Sequence, residues 1–478
     1  MELMIPVQTS AEAKMPLYEQ IYLYLKEEIR SGRLKYGMRL PSTRLLAENL
    51  KVSRSTTQMA YDQLLSEGYI ESRPCKGYFV LDIRELVEIR ETAVNEFFGE
   101  EQEKKNKWKI DFSPRGIDLE SFPYGTWRRI SKKILVDDKK ELFLSGNHQG
   151  EPSLREAIGN YLHTARGVRV SPEQIVLGAG NEYLLMLLYQ ILGKDRVIGM
   201  ENPTYKQAYF VFHSLGYQVM PISMDAQGIQ VDKLEESGAD VAYVMPSHQH
   251  PMGIVMPVRR RMELLSWAAR KEGRYIIEDD YDSEFRYRGK PIPALQGSDR
   301  EGRVIYIGTF SRSIAPAIRI SYMVLPQNLL YSYRQNCGFY ASTVSRIDQN
   351  ILYEFLVSGA YERHLNRMRA IYKAKHDILL SKIRPLENKF EILGENAGVH
   401  ILLRVREKAG KTVSEQELVE RAAAYGVRVY GLSGFFIHPN HNEYPAMLVL
   451  GYANLTESEI EEGMELLKTA YLECASKK

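Results

Sequence analysis

Cysteine is scarce in this 478-residue chain: Cys75, Cys337 and Cys474 lie too far apart to form a metal knuckle or a disulfide framework. Cysteine used this sparingly fits a reducing compartment, so a cytoplasmic protein is expected. No stretch approaches the ~18 consecutive apolar residues of a membrane-spanning helix, which excludes that class of partner. The opening MELMIPVQTSAEAKMP lacks the apolar core of a secretory signal. An excess of charge of one sign is missing too. The 63 Lys+Arg against 61 Asp+Glu leave +2, so a basic surface for a polyanion must be local. Internal repeats and low-complexity tracts are absent. With 44% hydrophobic and 26% charged residues the composition excludes a disordered, collagen-like or coiled-coil chain. At ~150 residues per domain the length suggests about three units.

The most polar interior stretch is residues 83–109, with one glycine, no proline and the run Glu100-Glu101-Gln102-Glu103-Lys104-Lys105-Asn106-Lys107. It reads as a solvated linker, partly helical over Leu86–Phe98. The divided chain then has a small module over residues 14–82 and an enzyme-sized α/β unit over 110–478.

In the first piece, Leu17, Ile21, Tyr24, Leu25 and Ile29 recur at helical spacing, and Gly32 stops the helix. Ser42 is suited to cap a second helix with Leu45, Leu46 and Leu50 as its apolar stripe. After a short turn at Lys51-Val52, Ser53 opens a third helix whose inward side is read as Met59, Ala60, Leu64 and Leu65. A hairpin follows, Tyr69–Arg73 with Gly77–Val80, its tip near Pro74-Cys75-Lys76. This order is a winged helix-turn-helix, in which the start of the third helix can enter a major groove. From Arg30 to Lys76 there are nine basic and four acidic side chains, a local excess of five positive charges. Ser42, Arg44, Ser53, Arg54, Ser55, Thr56 and Lys76 stand where helix starts and a wing tip offer donors to phosphates and bases.

In the second piece, the strand-like Glu173–Leu177 runs into Gly178-Ala179-Gly180-Asn181-Glu182 and an apolar helix, a turn able to present backbone N–H groups to a phosphate. Tyr275–Asp282 reads as a buried strand ending in acids and a tyrosine. Val304–Gly308 reads as another, ending in Thr309-Phe310-Ser311-Arg312-Ser313, with Arg319 shortly after. Ligands of α/β sheets collect at the carboxyl ends of strands, so these groups would suit a phosphorylated, basic-nitrogen heterocycle.

Pro16–Val80, with L-P-S-T-R-x-L-A-E-N-L, V-S-R-S-T-T, A-Y-D-Q-L-L-S-E-G-Y and K-G-Y-F-V, resembles the DNA-binding domain of GntR-type bacterial regulators. From about Asp111 onward the chain resembles a fold-type I aminotransferase domain, through Gly150–Arg155, Glu201–Tyr205, Pro246–Gly253, Gly451–Ala453 and the strand ends above. Joined in this order, the two resemble the MocR/GabR family of pyridoxal-phosphate-dependent transcription regulators. The resemblance implies an α/β fold with a large domain and a smaller C-terminal subdomain behind an α+β winged helix. It implies that Asp279 pairs with the protonated ring nitrogen of pyridoxal 5'-phosphate and that Tyr281 donates to the ring's phenolic oxygen. It also implies that Gly180, Asn181, Thr309, Ser311 and Arg319 hold the phosphate and that Tyr205 lines the ring pocket. A homodimer carrying two heads on double-stranded operator DNA, and a small-molecule effector, are implied partners. Glu182 fits poorly beside a phosphate unless it points away.

One departure decides the expected function. The position after Ser311 holds, in this family, the lysine whose amine forms an imine with the cofactor aldehyde; here it is Arg312. A guanidinium stays protonated and offers no free amine lone pair, so it is neither that nucleophile nor a proton carrier. Lys206 follows Tyr205, and alternation would turn it to the other face. Met447–Ala453 carries no arginine where many aminotransferases clamp a substrate carboxylate, which leaves Arg428 as the candidate effector-binding residue, with a solvated strand arginine as the equal reading. Three explanations stand: a pocket binding pyridoxal phosphate, pyridoxamine phosphate or an amino-acid adduct without a covalent link; a pocket turned to another anion; or an engineered Lys→Arg replacement. The first is preferred because it keeps Asp279 and Tyr281 in use. The expected function is a transcription regulator with no catalytic residues; the alternatives are an active pyridoxal-phosphate-dependent aminotransferase carrying a DNA-binding domain, and a DNA-binding scaffold with an empty pocket.

Overall fold

Local capping and apolar spacing account for the first helices of the computed structural model, which describes residues 5, 15–82, 108–136, 140–287, 291–406, 413–438 and 445–476. The chain divides into two compact units, Met1–Lys105 and Asn106–Lys478. In the first, α1 (Leu17–Arg30) buries Ile21, Tyr22, Leu25 and Ile29. Ser42 and Ser53 cap α2 (Thr43–Leu50) and α3 (Arg54–Ser66), their hydroxyls accepting from the N–H of Leu45 and Thr56. Lys51, at φ +54°, closes α2 in the left-handed region, which keeps the turn short.

The inward face of α3 keeps the expected Ala60 and Leu64 but not Met59 and Leu65. It buries Thr57, Ala60, Tyr61 and Leu64, leaving Met59 51% exposed. Leu65 is half-buried, and Leu45 on α2 is exposed. Hydrogen bonding selects this rotation. Thr57 donates to the Thr43 carbonyl at 2.8 Å and Tyr61 to the Pro41 carbonyl at 2.9 Å, two buried bonds that lock α3 against α2. The hairpin β1 (Ile70–Arg73) and β2 (Gly77–Val80) pairs Ile70 with Val80 and Arg73 with Gly77, as a wing. The expected helix over Leu86–Phe98 lies outside the described residues, as does the linker up to residue 107. Lys109, counted with that linker, belongs to the second unit, because its N–H donates to the Gly426 carbonyl.

The second unit begins with β3 (Ile110–Asp111) and builds a sheet from β4 (Ile175–Gly178), β5 (Val197–Asn202), β6 (Gln218–Asp225), β7 (Gly228–Ile229), β8 (Val241–Val244), β9 (Tyr275–Asp280), β10 (Val304–Thr309) and β11 (Ser321–Val324). Their order is β4-β11-β10-β9-β8-β5-β6-β7. β10, β9, β8, β5 and β6 are mutually parallel, and β11 runs against both β10 and β4. The central strands β8, β9 and β10 are buried along almost their whole length because helices cover both faces. In β10, Ile305 and Ile307 pack with Leu184 and Leu188 of the helix Asn181–Leu192, while Tyr306 packs opposite with Leu154, Ile158 and Phe355. A smaller sheet joins β12 (Phe390–Leu393), β13 (His400–Val405), β15 (Tyr430–Gly431) and β16 (Met447–Gly451), and β14 (Val427–Arg428) pairs in parallel with β3. This is the expected large domain with its smaller subdomain. Among the described residues no helix is long and apolar enough to cross a membrane, and no cluster of His, Cys, Asp and Glu could hold a metal ion.

Candidate functional site

Because β4, β5, β8, β9 and β10 point the same way, their carboxyl ends open on one crevice. A cavity of about 280 Å³ sits there, and all nine residues expected at a cofactor line it: Gly180, Asn181, Tyr205, Asp279, Tyr281, Thr309, Ser311, Arg312 and Arg319.

Strand alternation sorts the three consecutive acids of β9. Asp279 turns to the cavity, where it accepts from the Tyr243 hydroxyl and, at 3.4 Å, from the Asn181 amide. Asp280 turns away into a buried ion pair with Arg166 at 2.8 Å, and Glu278 accepts from the N–H groups of Leu295 and Gln296. Burial pushes the Asp279 carboxyl up to about 7, against the Tyr243 bond, which favours the ionised form. Tyr281 bonds His248, whose Nδ1 also reaches Asp282 at 3.0 Å. Burial, with Asp282 second, raises the Tyr281 phenol far above its ordinary value.

The other end is built for an anion. Gly180, at φ +101°, precedes the twelve-residue helix Asn181–Leu192, and a Cβ there would meet Arg319 Nη2 at 2.1 Å. The Thr309 hydroxyl accepts from the Ser311 N–H at 3.1 Å and from the Ser321 hydroxyl at 2.8 Å. Glu182 does not repel this end. Its carboxylate pairs with Arg319 at 2.8 Å.

Arg312 points its guanidinium to the carbonyls of Pro114 and Gly116, at 2.6 and 3.2 Å. It therefore secures the segment that enters the second unit. Lys206 does not line this cavity. It starts the helix Lys206–Ser214, lies over the Phe210 ring and lines a neighbouring cavity of about 760 Å³. Arg428 lines that neighbour too, paired with Asp111 at 3.6 Å and stacked near Tyr430.

Sequence reasoning missed Arg115, His250 and Tyr243. Arg115 lines both cavities, its guanidinium 5.7 Å from the Tyr205 ring centre. His250 is held neutral by burial and by nearby His400 and Arg312. Only the loop motif around His250 hinted at its place. Nothing local marked the other two.

A B6 phosphate fits this chemistry. Asn181 Oδ1, Ser311 Oγ, His250 Nδ1 and Arg312 Nε are buried without a protein partner, all on residues lining the cavity. A buried acid suits a ring nitrogen, and a glycine turn with hydroxyls and Arg319, which is shared with Glu182, suits a phosphate.

In the first unit, Ser42, Arg44, Ser53, Arg54, Ser55 and Lys76 are exposed, and Thr56 is partly so. The Ser53 hydroxyl also bonds those of Ser55 and Thr56 at 2.7 and 2.8 Å, and Arg44 pairs with Glu48 at 3.2 Å. Arg54 has no ion-pair partner among the described residues.

Comparisons agree with both halves. "Bacterial regulatory proteins, gntR family" matches residues 17–80, and "Aminotransferase class I and II" matches residues 120–467. "Uncharacterized HTH-type transcriptional regulator YdeL" of Bacillus subtilis (strain 168) is 41% identical over 458 residues, 96% of this chain and 97% of its own. "Probable rhizopine catabolism regulatory protein MocR" of Rhizobium meliloti is 32% identical over 96% of this chain and 95% of its own. The crystal structure of Pyrococcus horikoshii kynurenine aminotransferase, in complex with PMP, covers 81% of this chain and 95% of that one at 25% identity and a TM-score of 0.67. With a GntR winged helix-turn-helix ahead of a fold-type I aminotransferase-like domain along almost its whole length, the chain belongs to the MocR-type transcriptional regulators.

Proposed function

We propose that this regulator senses pyridoxal 5'-phosphate, or a related amino/B6 effector, by non-covalent binding, and that the aminotransferase-like domain does no catalysis. The observation that carries the reading is Arg312: a guanidinium committed to two backbone carbonyls stands where the family's Schiff-base lysine would be. Gly180, Asn181, Thr309, Ser311 and Arg319 would hold the phosphate, Tyr205 would line the ring pocket, and Tyr281 would donate to the ring's phenolic oxygen. When bound, the B6 ring supplies an electron-poor heterocycle whose nitrogen carries a proton. Asp279, raised to about 7 by burial while the cavity holds no cation, would be drawn toward its ionised form by that charge.

Regulation would follow from differential affinity. Arg115, His250 and Tyr205 border both cavities, so a ligand there touches the large domain and the loops around β14 and β15 together. A ligand that prefers one arrangement of these parts shifts the population toward it. In a homodimer the two winged helices would then change their spacing on operator DNA, with Ser42, Arg44, Ser53, Arg54, Ser55, Thr56 and Lys76 at the duplex.

The test is calorimetry of the full chain with pyridoxal phosphate, followed by borohydride and peptide mass mapping. Saturable binding with no added mass on any cavity peptide is the expected result. A stoichiometric adduct on a cavity lysine would restore the enzyme reading. No binding of any B6 vitamer would leave a DNA-binding scaffold.

A further inference from the structure

One helix of the second unit, Tyr124–Val136, concentrates positive charge on a face that lines neither cavity. It turns Ile130 and Ile134 into the core with Trp127 packed beside them, the indole ring 5.6 Å from that of Phe355. The opposite face exposes Arg128, Arg129, Lys132 and Lys133. The helix holds no acid, and the next four residues, Asp137-Asp138-Lys139-Lys140, add no net charge. Lys133 reaches Glu354 of the helix Arg346–Val357 at 3.1 Å. Arg128, Arg129 and Lys132 have no ion-pair partner among the described residues. Arg128 with Lys132, and Arg129 with Lys133, are like charges four residues apart, which repel each other. The helix dipole favours Lys133, in the last turn, but no cation at Arg128 or Arg129, in the first half. An anionic partner relieves that repulsion.

The spacing fits a duplex backbone. Four residues advance a helix by about 6 Å. Two phosphate steps along one strand of B-DNA cover about 6.8 Å. We infer that Arg128, Arg129 and Lys132, with Lys133 beside them, form a second duplex-binding surface on the aminotransferase-like unit itself, which takes phosphates outside the sequence read by the winged helix. The surface needs no B6 ligand. Contacts of this kind carry no sequence information; they add affinity and salt dependence. They give the aminotransferase-like unit its own hold on the DNA that the winged helix positions.

The experiment titrates full-length protein against two duplexes over a range of salt concentrations. One is the shortest sequence that in vitro selection with this protein recovers; the other is the same sequence extended on both sides by arbitrary DNA. The extended duplex is expected to bind wild type more tightly, with a slope of log affinity against log salt steeper by about two to three, close to one for each phosphate neutralised. The combined variant Arg128→Ala, Arg129→Ala, Lys132→Ala should show the same slope for both duplexes. Its affinity for the short one should stay at the wild-type value, which also reports an intact fold. The charge-keeping variant Arg128→Lys, Arg129→Lys, Lys132→Arg should retain the steeper slope. Equal slopes for the two duplexes in wild type, or an undiminished difference in the alanine variant, overturn the second surface while the winged-helix assignment stands. That assignment is read separately by Arg54→Ala, which should weaken binding to both duplexes alike.

Discussion

Arg312 Nη2 lies 2.6 Å from the carbonyl oxygen of Pro114, to which it donates. The bond joins the end of β10 to the chain just after β3, two places 198 residues apart. An arginine makes this span because its fork reaches two carbonyls at once; a lysine has one nitrogen to offer.

Arg312→Lys should therefore separate the two uses of this position. With pyridoxal phosphate and borohydride, the variant should gain one cofactor mass on the peptide containing residue 312, which the wild type lacks. Loss of one carbonyl bond should lower stability by about 1 kcal/mol, read by denaturant unfolding.

Asp279→Asn tests the buried acid. A carboxyl whose pKa rises from 3.8 unfolded to about 7 folded stabilises the native state fully only below the lower value. That contribution is lost as pH rises through the upper one. The ligand-free variant, isosteric with the protonated acid, should match wild type near pH 4 and exceed it by about 2–4 kcal/mol at pH 8. Its affinity for pyridoxal phosphate should fall. A stability difference independent of pH would contradict the assignment.

Gly180→Ala adds a Cβ at φ +101° against Arg319 Nη2. The strained backbone and displaced arginine should cost about 1–3 kcal/mol and weaken phosphate-bearing ligands. Thermal unfolding with and without pyridoxal phosphate reads both effects.

Arg54→Ala should weaken binding to a duplex selected in vitro by this protein and reduce the slope of log affinity against log salt by about one. Unchanged affinity and slope would remove Arg54 from the interface.

Local rules settle much of this protein. Ser42 and Ser53 had to cap helices because their hydroxyls satisfy free N–H groups a few residues on. β9 had to divide its acids between two faces because strands alternate. Gly180 announced a turn, and no fold can make Arg312 an amine nucleophile. Tertiary structure decided what depends on distant partners. Buried hydrogen bonds to Thr43 and Pro41 turned α3 so that Tyr61 went inward and Met59 outward. Arg319, 137 residues away, neutralised Glu182. Asp111 drew Arg428 to a neighbouring cavity, while Arg115 and Tyr243 came to the site without any local signal. Propensity, alternation and side-chain chemistry act over a few residues, whereas charge compensation and burial depend on which remote segments the fold brings within a few ångströms.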